Sequence, residues 1–502
     1  SWGAACTTDG AAAPLDLLYL SDGKPLRLRI NVELDGRPLD AVWDETFHQL
    51  FADLDRDGDG FLSRDEARRA PSALRIRQLS WGLFFAAPAA APWEELDRDP
   101  ADGKVSFDEF AAYYRRNGVG RVQVAVGRPP ATDALTDALL RAFDRDGDGY
   151  VSEAEWQAAA DSLHALDLND DELISGDELV PALHYPGAYG GALLTPWSPD
   201  DPPSRLLDAF PFVLMPDSCD ANWARQLIAR RGGDADALAA CLDRPADLSL
   251  IVRLGRRADG AAPVEWVGHA ADDAVLLDLG RALCAIRTMD SRLTAEFASA
   301  RTLAMKRFAE ADADHDGRLD RAEAERSSFA PLRDLFDAAD RDGDGRVTAK
   351  EWSAYLDLEN RLVQGQVVLT ILDHGRGLFE LLDADRDGVL SVRELRSAWA
   401  RLNAAGCLRD GALDRSLLPQ QLRCVVSRGR PSISLGNGLR PFPSSPRGPA
   451  WFRAMDRNGD GDVSRQEFLG SDADFRRLDA DGDGLISALE AERAEAPRGP
   501  RP

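Results

Sequence analysis

The chain has 502 residues, 44% of them apolar, which is enough to build packed cores in two to four domains. Its 86 acidic and 60 basic residues leave a formal charge of −26, which argues against nucleic acid or an anionic lipid surface as a partner. No stretch approaches the roughly 18 consecutive apolar residues of a membrane-crossing helix, so no span is expected.

Residues 1–13 read as a loose terminus. Alternating apolar positions in L-D-L-L-Y-L and again in L-R-L-R-I-N-V-E-L, around S-D-G-K, predict a hairpin. Leu28, Ile30 and Val32 fall on one face of it, and Arg27, Arg29 and Asn31 on the other. Helical spacing from Trp43 to Leu54, carried by Phe47, Leu50 and Phe51, then leads into an acidic segment, D-R-D-G-D-G-F-L-S-R-D-E.

That arrangement returns along the whole chain, and Asp144–Glu155 shows its chemistry. Asp144, Asp146 and Asp148 at loop positions 1, 3 and 5 can converge on one hard cation only if the backbone turns sharply after them, and Gly149 tolerates the positive φ this needs. The carbonyl of Tyr150 at position 7 adds an oxygen, Ser152 can hold a bridging water, and Glu155 at position 12 closes the shell with both oxygens, a coordination that suits Ca²⁺ over Mg²⁺. Val151 at position 8 binds no metal.

The same five ligand positions recur with regular spacing in six further loops. They are Asp55, Asp57, Asp59, Phe61 and Glu66; Asp312, Asp314, Asp316, Arg318 and Glu323; and Asp340, Asp342, Asp344, Arg346 and Glu351. Further on come Asp383, Asp385, Asp387, Val389 and Glu394; Asp456, Asn458, Asp460, Asp462 and Glu467; and Asp479, Asp481, Asp483, Leu485 and Glu490. Two loops depart from the pattern. Asp97, Asp99, Asp102, Lys104 and Glu109 lie in a loop one residue too long. Asp167, Asn169, Asp171, Leu173 and Glu178 surround Glu172, which stands where glycine belongs at a strain of about 1 kcal/mol.

This is the EF-hand pattern, and the chain resembles the EF-hand superfamily wherever it recurs. The resemblance implies helix-loop-helix units that associate in pairs, with position-8 residues meeting in a short two-strand contact, and seven to nine Ca²⁺ ions. Asp144 and Asp167 stand 23 residues apart, as do Asp456 and Asp479, the spacing of a compact pair. The loop at Asp383 finds its partner in G-C-L-R-D-G-A-L-D-R-S-L from Gly406, where Gly406, Leu408 and Leu417 occupy positions 1, 3 and 12. That hand can pair but cannot bind.

Strand-like R-V-Q-V-A-V-G at 121–127 separates the loops at 55 and 97 from those at 144 and 167. Residues 186–203 are rich in Pro and Gly and mark a connector. Asn222–Cys241 has helical spacing, and L-S-L-I-V-R-L with A-P-V-E-W-V at 248–267 predicts a second hairpin. Q-V-V-L-T-I-L at 366–372 precedes Asp383 as the earlier strand precedes Asp144, so the order hairpin, two hands, strand, two hands occurs twice, the mark of an internal duplication. L-R-C-V-V-S with S-I-S-L at 422–435 suggests a third strand pair before a Pro/Ser linker, and the tail after Ala494 reads as disordered.

The expected fold class is therefore mainly α, tandem paired hands with hairpins and strands forming a small sheet element, α+β in all. The expected organisation is a hairpin in 1–40, a first quartet of hands in 41–185, a connector with helix and hairpin in 186–300, and a second quartet in 301–421. Strands and linker follow in 422–450 and a final pair of hands in 451–495.

Six histidines show no triad or metal-ligand spacing, and no Walker loop, G-x-S-x-G elbow or C-x-x-C occurs, so no catalytic residue is assigned and no enzyme is expected. A sensor of the calmodulin type relies on an adaptable Met-rich pocket, and this chain has only Met215, Met289, Met305 and Met455. Loops tuned for rare-earth ions carry Asp at position 9, which only Asp320 supplies. Six cysteines are too sparse for a disulfide framework; Cys219 with Cys241 and Cys407 with Cys424 are the bridge candidates, against buried free thiols. Only 4 of the 60 basic residues are Lys, which points to a GC-rich bacterium. The start at Ser1 points either to a removed leader or to a trimmed chain; the first reading, with export, is the one expected, because millimolar external Ca²⁺ suits such loops. The function expected is structural Ca²⁺ loading in an exported scaffold or accessory subunit, with other proteins or a second copy as partner. A Ca²⁺ sensor or buffer is one alternative, and an enzyme or enzyme-regulatory subunit with a site not visible in the sequence is the other.

Overall fold

The alternation in Leu26–Leu34 is realised as a strand whose Leu28, Ile30, Val32 and Leu34 enter a core while Arg27 and Arg29 meet the carboxylate of Asp16 on the neighbouring strand. Burial alone would raise the Asp16 carboxyl, but the two guanidinium groups outweigh it and hold the group below its ordinary range. The computed structural model describes residues 14–20, 25–80, 90–127, 131–160, 166–180, 195–197, 211–215, 221–231, 234–257, 261–266, 269–271, 274–280, 282–289, 293–384, 388–429 and 448–495. The chain divides into two units, each assembled from separate stretches: 1–127 with 194–373 and 422–432, and 128–193 with 374–421 and 433–502.

In the first unit the expected small sheet element is replaced by two full sheets. The first has seven strands. From one edge it runs Phe212–Leu214, Leu15–Tyr19, Leu26–Leu34, Leu248–Leu254, Val264–Trp266 and His269–Ala271, with Arg37–Pro38 also paired to Leu26–Leu34. Both predicted hairpins are present, with Leu17 opposite Leu28 and Val252 opposite Val264. They join through a parallel contact that sets Leu250 beside Ile30.

The second sheet has six strands in the order Ala274–Asp278, Ala282–Met289, Gln420–Arg428, Val367–Arg376, Val122–Gly127 and Thr195–Trp197. Two segments read as isolated separators, Val122–Gly127 and Val367–Arg376, lie side by side in parallel with Leu369 opposite Val124. Gln420–Arg428 enters this sheet between Ala282–Met289 and Val367–Arg376. The S-I-S-L segment expected to pair with it lies outside the described residues. Both sheets feed one core, with Ile30, Leu250 and Val252 from the first and Cys284, Leu369 and Val426 from the second. At about 1.5–3 kcal/mol for each large apolar side chain, this core is a principal source of the unit's stability.

A second core gathers the helices around the loops at 55, 97, 312 and 340. Trp43, Phe47, Phe110 and Tyr114 from the first half meet Phe308, Phe336 and Trp352 from the second, and Phe47 packs edge-on to Tyr114 at 5.1 Å. The stretch predicted as one helix over 222–241 is two, Ala221–Arg231 and Ala235–Leu242, the latter capped by Asp234. They cover Leu18 and Val213 on the outer face of the first sheet.

The second unit has a core of Leu135, Phe143, Val151 and Trp156 with Phe379, Leu390, Leu395 and Leu413, and a smaller one under the last two loops. Among the described residues, Cys241, Cys284, Cys407 and Cys424 are buried free thiols. The expected Cys407–Cys424 bridge is not formed, because Cys407 packs in the helical core of the second unit while Cys424 lies in the sheet core of the first. The Cys219–Cys241 candidate lies outside the described residues at Cys219. Among the described residues no helix is long and apolar enough to cross a membrane.

Leu369 is fully buried at the centre of the second sheet. Leu369→Ala is expected to lower unfolding stability by about 3 kcal/mol, read from the midpoint and slope of urea unfolding in saturating Ca²⁺.

Candidate metal centres

Each loop is folded by its own carboxylates. In the first, Asp55 accepts from the amide of Gly58 through Oδ1 at 2.8 Å and from that of Gly60 through Oδ2 at 3.0 Å. Asp57 accepts from the amide of Asp59 at 3.1 Å and Asp59 from that of Phe61 at 2.8 Å. These turns require positive φ at positions 4 and 6, found at Gly58 and Gly60 (72° and 85°). The same bonds recur in the loops beginning at Asp144, Asp340, Asp456 and Asp479.

The glutamate at position 12 has two tasks. Position 9 is the N-cap of the exiting helix and position 12 its third residue, so Ser63 with Glu66, Ser106 with Glu109, Ser175 with Glu178, Asp320 with Glu323, Thr348 with Glu351 and Ser391 with Glu394 form capping boxes. The pairs Ser152 with Glu155, Ser464 with Glu467 and Ser487 with Glu490 make the corresponding bonds. One glutamate oxygen thus starts the helix. In seven loops the other reaches back to the amide of position 2, at 2.6–2.9 Å. The backbone amide and hydroxyl of Ser152, with the amide of Arg145, hold the Glu155 carboxyl down at about 2.

These bonds bring the ligand carboxylates together. Oxygens of Asp55, Asp57 and Glu66 lie within 4.8 Å of one another, as do those of Asp144, Asp146 and Glu155, of Asp312, Asp314 and Glu323, of Asp340, Asp342 and Glu351, and of Asp456, Asp460 and Glu467. Asp312 Oδ1 and Glu109 Oε1 are buried without a hydrogen-bond partner. Clustered carboxylate oxygens, some buried and unsatisfied, fit a hard divalent cation of the size of Ca²⁺.

The irregular loops keep the turn closed by the position-1 aspartate. The loop at 97 absorbs its extra residue before Asp102, so that Asp97 accepts from the amides of Asp102 and Gly103 at 3.0 and 3.1 Å. In the loop at 167, Asp170 and Glu172 adopt φ of 60° and 63°, taking over the glycine conformation, and Asp167 accepts from the amide of Glu172 at 2.7 Å. His315 does the same at position 4 of its loop, with φ 59°. In the loop at 383, Asp383, Val389 and Glu394 are in place, and Asp385 and Asp387 lie outside the described residues.

Position-8 residues face each other directly and are buried: Leu62 with Val105, Leu319 with Val347, Val463 with Ile486. For the remaining four segments the partners differ from those that spacing suggests. Val151 of the loop at 144 meets Leu413, and Ile174 of the loop at 167 meets Leu390 of the loop at 383. The contacts are exchanged between the two halves of the chain, and Trp156 Nε1 donates to the Leu395 carbonyl across the same divide at 3.0 Å. A 23-residue interval permits an adjacent pair but does not select it over an equivalent partner. The segment from Gly406 is a tight hairpin, Leu408–Arg409 with Ala412–Leu413, turning on Asp410 and Gly411 at φ 53° and 81°.

Sequence reasoning missed the cations between loops. Lys104 at position 7 reaches Asp59 at position 5 of the facing loop (3.3 Å), Arg318 reaches Asp344 (3.5 Å) and Arg346 reaches Asp316 (3.4 Å). The last two loops have Asp462 and Leu485 at that position, and Arg393 of the hand at 383 supplies the charge, contacting Asp462 and, at 3.4 Å, Asp483. The acid at position 7 was the available signal. Burial, then the crowd of Asp462, Asp456 and Glu467, pushes the Asp460 carboxyl up to about 8. Arg56 Nη1 donates to the carbonyl of Asp342 at 3.0 Å, and Asn458 Nδ2 to that of Asp171 at 3.1 Å, tying further loops together.

Two outcomes follow from these contacts. Leu413→Ala should weaken Tb³⁺ binding at the Asp144 loop about tenfold, followed by luminescence excited through Tyr150, with Tyr150→Phe as the blank. Arg393→Gln leaves the buried Asp462 carboxylate unpaired and should cost about 2 kcal/mol in urea unfolding; adding Asp462→Asn should restore most of that loss.

Seven stretches match the family model of the EF hand: residues 47–69, 136–160, 305–325, 332–356, 376–398, 450–469 and 473–490. The chain is also similar to Calmodulin-like protein 9 of Arabidopsis thaliana, 26% identical over 122 residues, which are 23% of this chain and 68% of that protein. No solved structure matches it. With the loop geometry, these matches identify the chain as a member of the EF-hand superfamily, a calcium-binding protein with multiple EF-hand loops.

Proposed function

We propose that Ca²⁺ is structural in this protein, with seven to nine ions held in paired helix-loop-helix units, and that the protein is an exported bacterial scaffold or accessory subunit. The observation that carries the structural role is the burial of every position-8 residue against its opposite number, in cores that also hold the flanking helices. A bound ion supplies the positive charge that the converging carboxylates lack, and the chain's own residues do the rest. Position-1 aspartates close each loop, position-12 glutamates start each exiting helix, and the strand contacts tie two loops into one unit. Folding and loading then reinforce each other.

The large negative charge favours a setting rich in Ca²⁺, which export provides. The work of such a protein is to hold shape and to present a surface to other extracytoplasmic proteins or to a second copy of itself.

Chelation tests the reading. Each site filled at a hundredfold over its dissociation constant contributes about 2.7 kcal/mol, so EDTA should lower the melting temperature by at least about 15 °C. A protein that melts at the same temperature after EDTA while binding a hydrophobic dye only with Ca²⁺ is a sensor, and the structural role is then wrong.

A further inference from the structure

The strands Ala282–Met289 and Gln420–Arg428 are neighbours in the second sheet, and each carries a cysteine that the calcium loops do not use. Cys284 and Cys424 are both fully buried, and their sulfurs are 3.7 Å apart. Neighbouring strands of a sheet lie about 4.7–4.9 Å apart, inside the roughly 4.4–6.8 Å Cα span of a disulfide. Two sulfurs already in contact need only side-chain rotation to reach bonding distance. Leu277 lies opposite Cys284 on its other flank, and Ile286 and Val426 join both cysteines in the sheet core, so the surroundings are apolar.

We propose that Cys284 and Cys424 are an intramolecular disulfide site, closed by thiol exchange with an external disulfide while the strand at 420–428 is joining the sheet. In the first step one thiolate attacks a disulfide R–S–S–R, forming a mixed disulfide and releasing R–S⁻, which takes up a proton. In the second, the other thiolate attacks the chain's sulfur in that mixed disulfide and displaces the second R–S⁻. The two cysteines lose two protons and two electrons, one S–S bond forms within the chain, and the external disulfide is reduced to two thiols. The timing follows from burial: once folded, the thiols are shut away from any exchange partner. The hydrogen bond to Cys424 and burial also hold the Cys284 thiol above its ordinary range, which further slows attack.

The bond would tie positions 140 residues apart. It is independent of the calcium reading, because neither cysteine belongs to a loop. The sequence pairing of Cys407 with Cys424 gives way to a partner that only the sheet reveals.

The test uses the full chain, unfolded, reduced and refolded with Ca²⁺ in a mixture of reduced and oxidised glutathione. Free thiols are then alkylated in denaturant and the protein is digested without reductant. The expected result is a linked pair of peptides carrying Cys284 and Cys424, two hydrogens lighter than their sum. Reduction should then lower the melting temperature of the refolded protein by about 10 °C. Recovery of both cysteines alkylated, or of either linked to a different cysteine or to glutathione, would overturn the proposal. Refolding in reduced glutathione alone, followed by brief exposure to oxidised glutathione, should leave both thiols free; rapid closure there would refute the timing.

Discussion

Everything in the metal loops turns on a carboxylate that serves two masters. The position-12 glutamate caps a helix with one oxygen and pins the second amide of the loop with the other, as Glu66 does for Ser63 and Arg56. A substitution there removes a helix start, a loop closure and a metal ligand together. Low carboxyl pKa values follow: for Glu66 and Glu490, burial works against the hydrogen bonds but does not prevail. The loops therefore fold around their own backbone amides, and in the last pair burial and the crowding of Asp460 with Asp462 are partly offset by the Asp462 amide and by Arg393.

The loops were legible because each ligand has a fixed offset and each offset has a chemical reason. Even the irregular ones could be read: Glu172 stands at positive φ as expected, and the insertion at 97 falls between ligands. Hairpins with local turns, such as Leu15–Tyr19 with Leu26–Leu34, were legible for the same reason of proximity. What could not be read is every contact that spans the chain. Nothing near Val122 announces that its partner is Val367, or near Leu28 that its neighbour is Leu248. Parallel pairing leaves no turn signature, so two strands of the second sheet looked like separators.

The repeated order of elements gains meaning from this. Corresponding strands of the two halves lie beside each other in parallel, Leu26–Leu34 with Leu248–Leu254 and Val122–Gly127 with Val367–Leu372. The first two hands of each half keep their strand contacts at home, whereas the later ones trade them, Val151 to Leu413 and Ile174 to Leu390. Both halves of the chain accordingly contribute to the same cores.

The strand Gln420–Arg428 has a further consequence. It fills an interior place in its sheet, between Ala282–Met289 and Val367–Arg376. A polypeptide emerging from a ribosome cannot complete that layer until it has been made as far as Arg428. Until then the growing chain must remain open, with a gap between its inner strands and its apolar side chains available to chaperones.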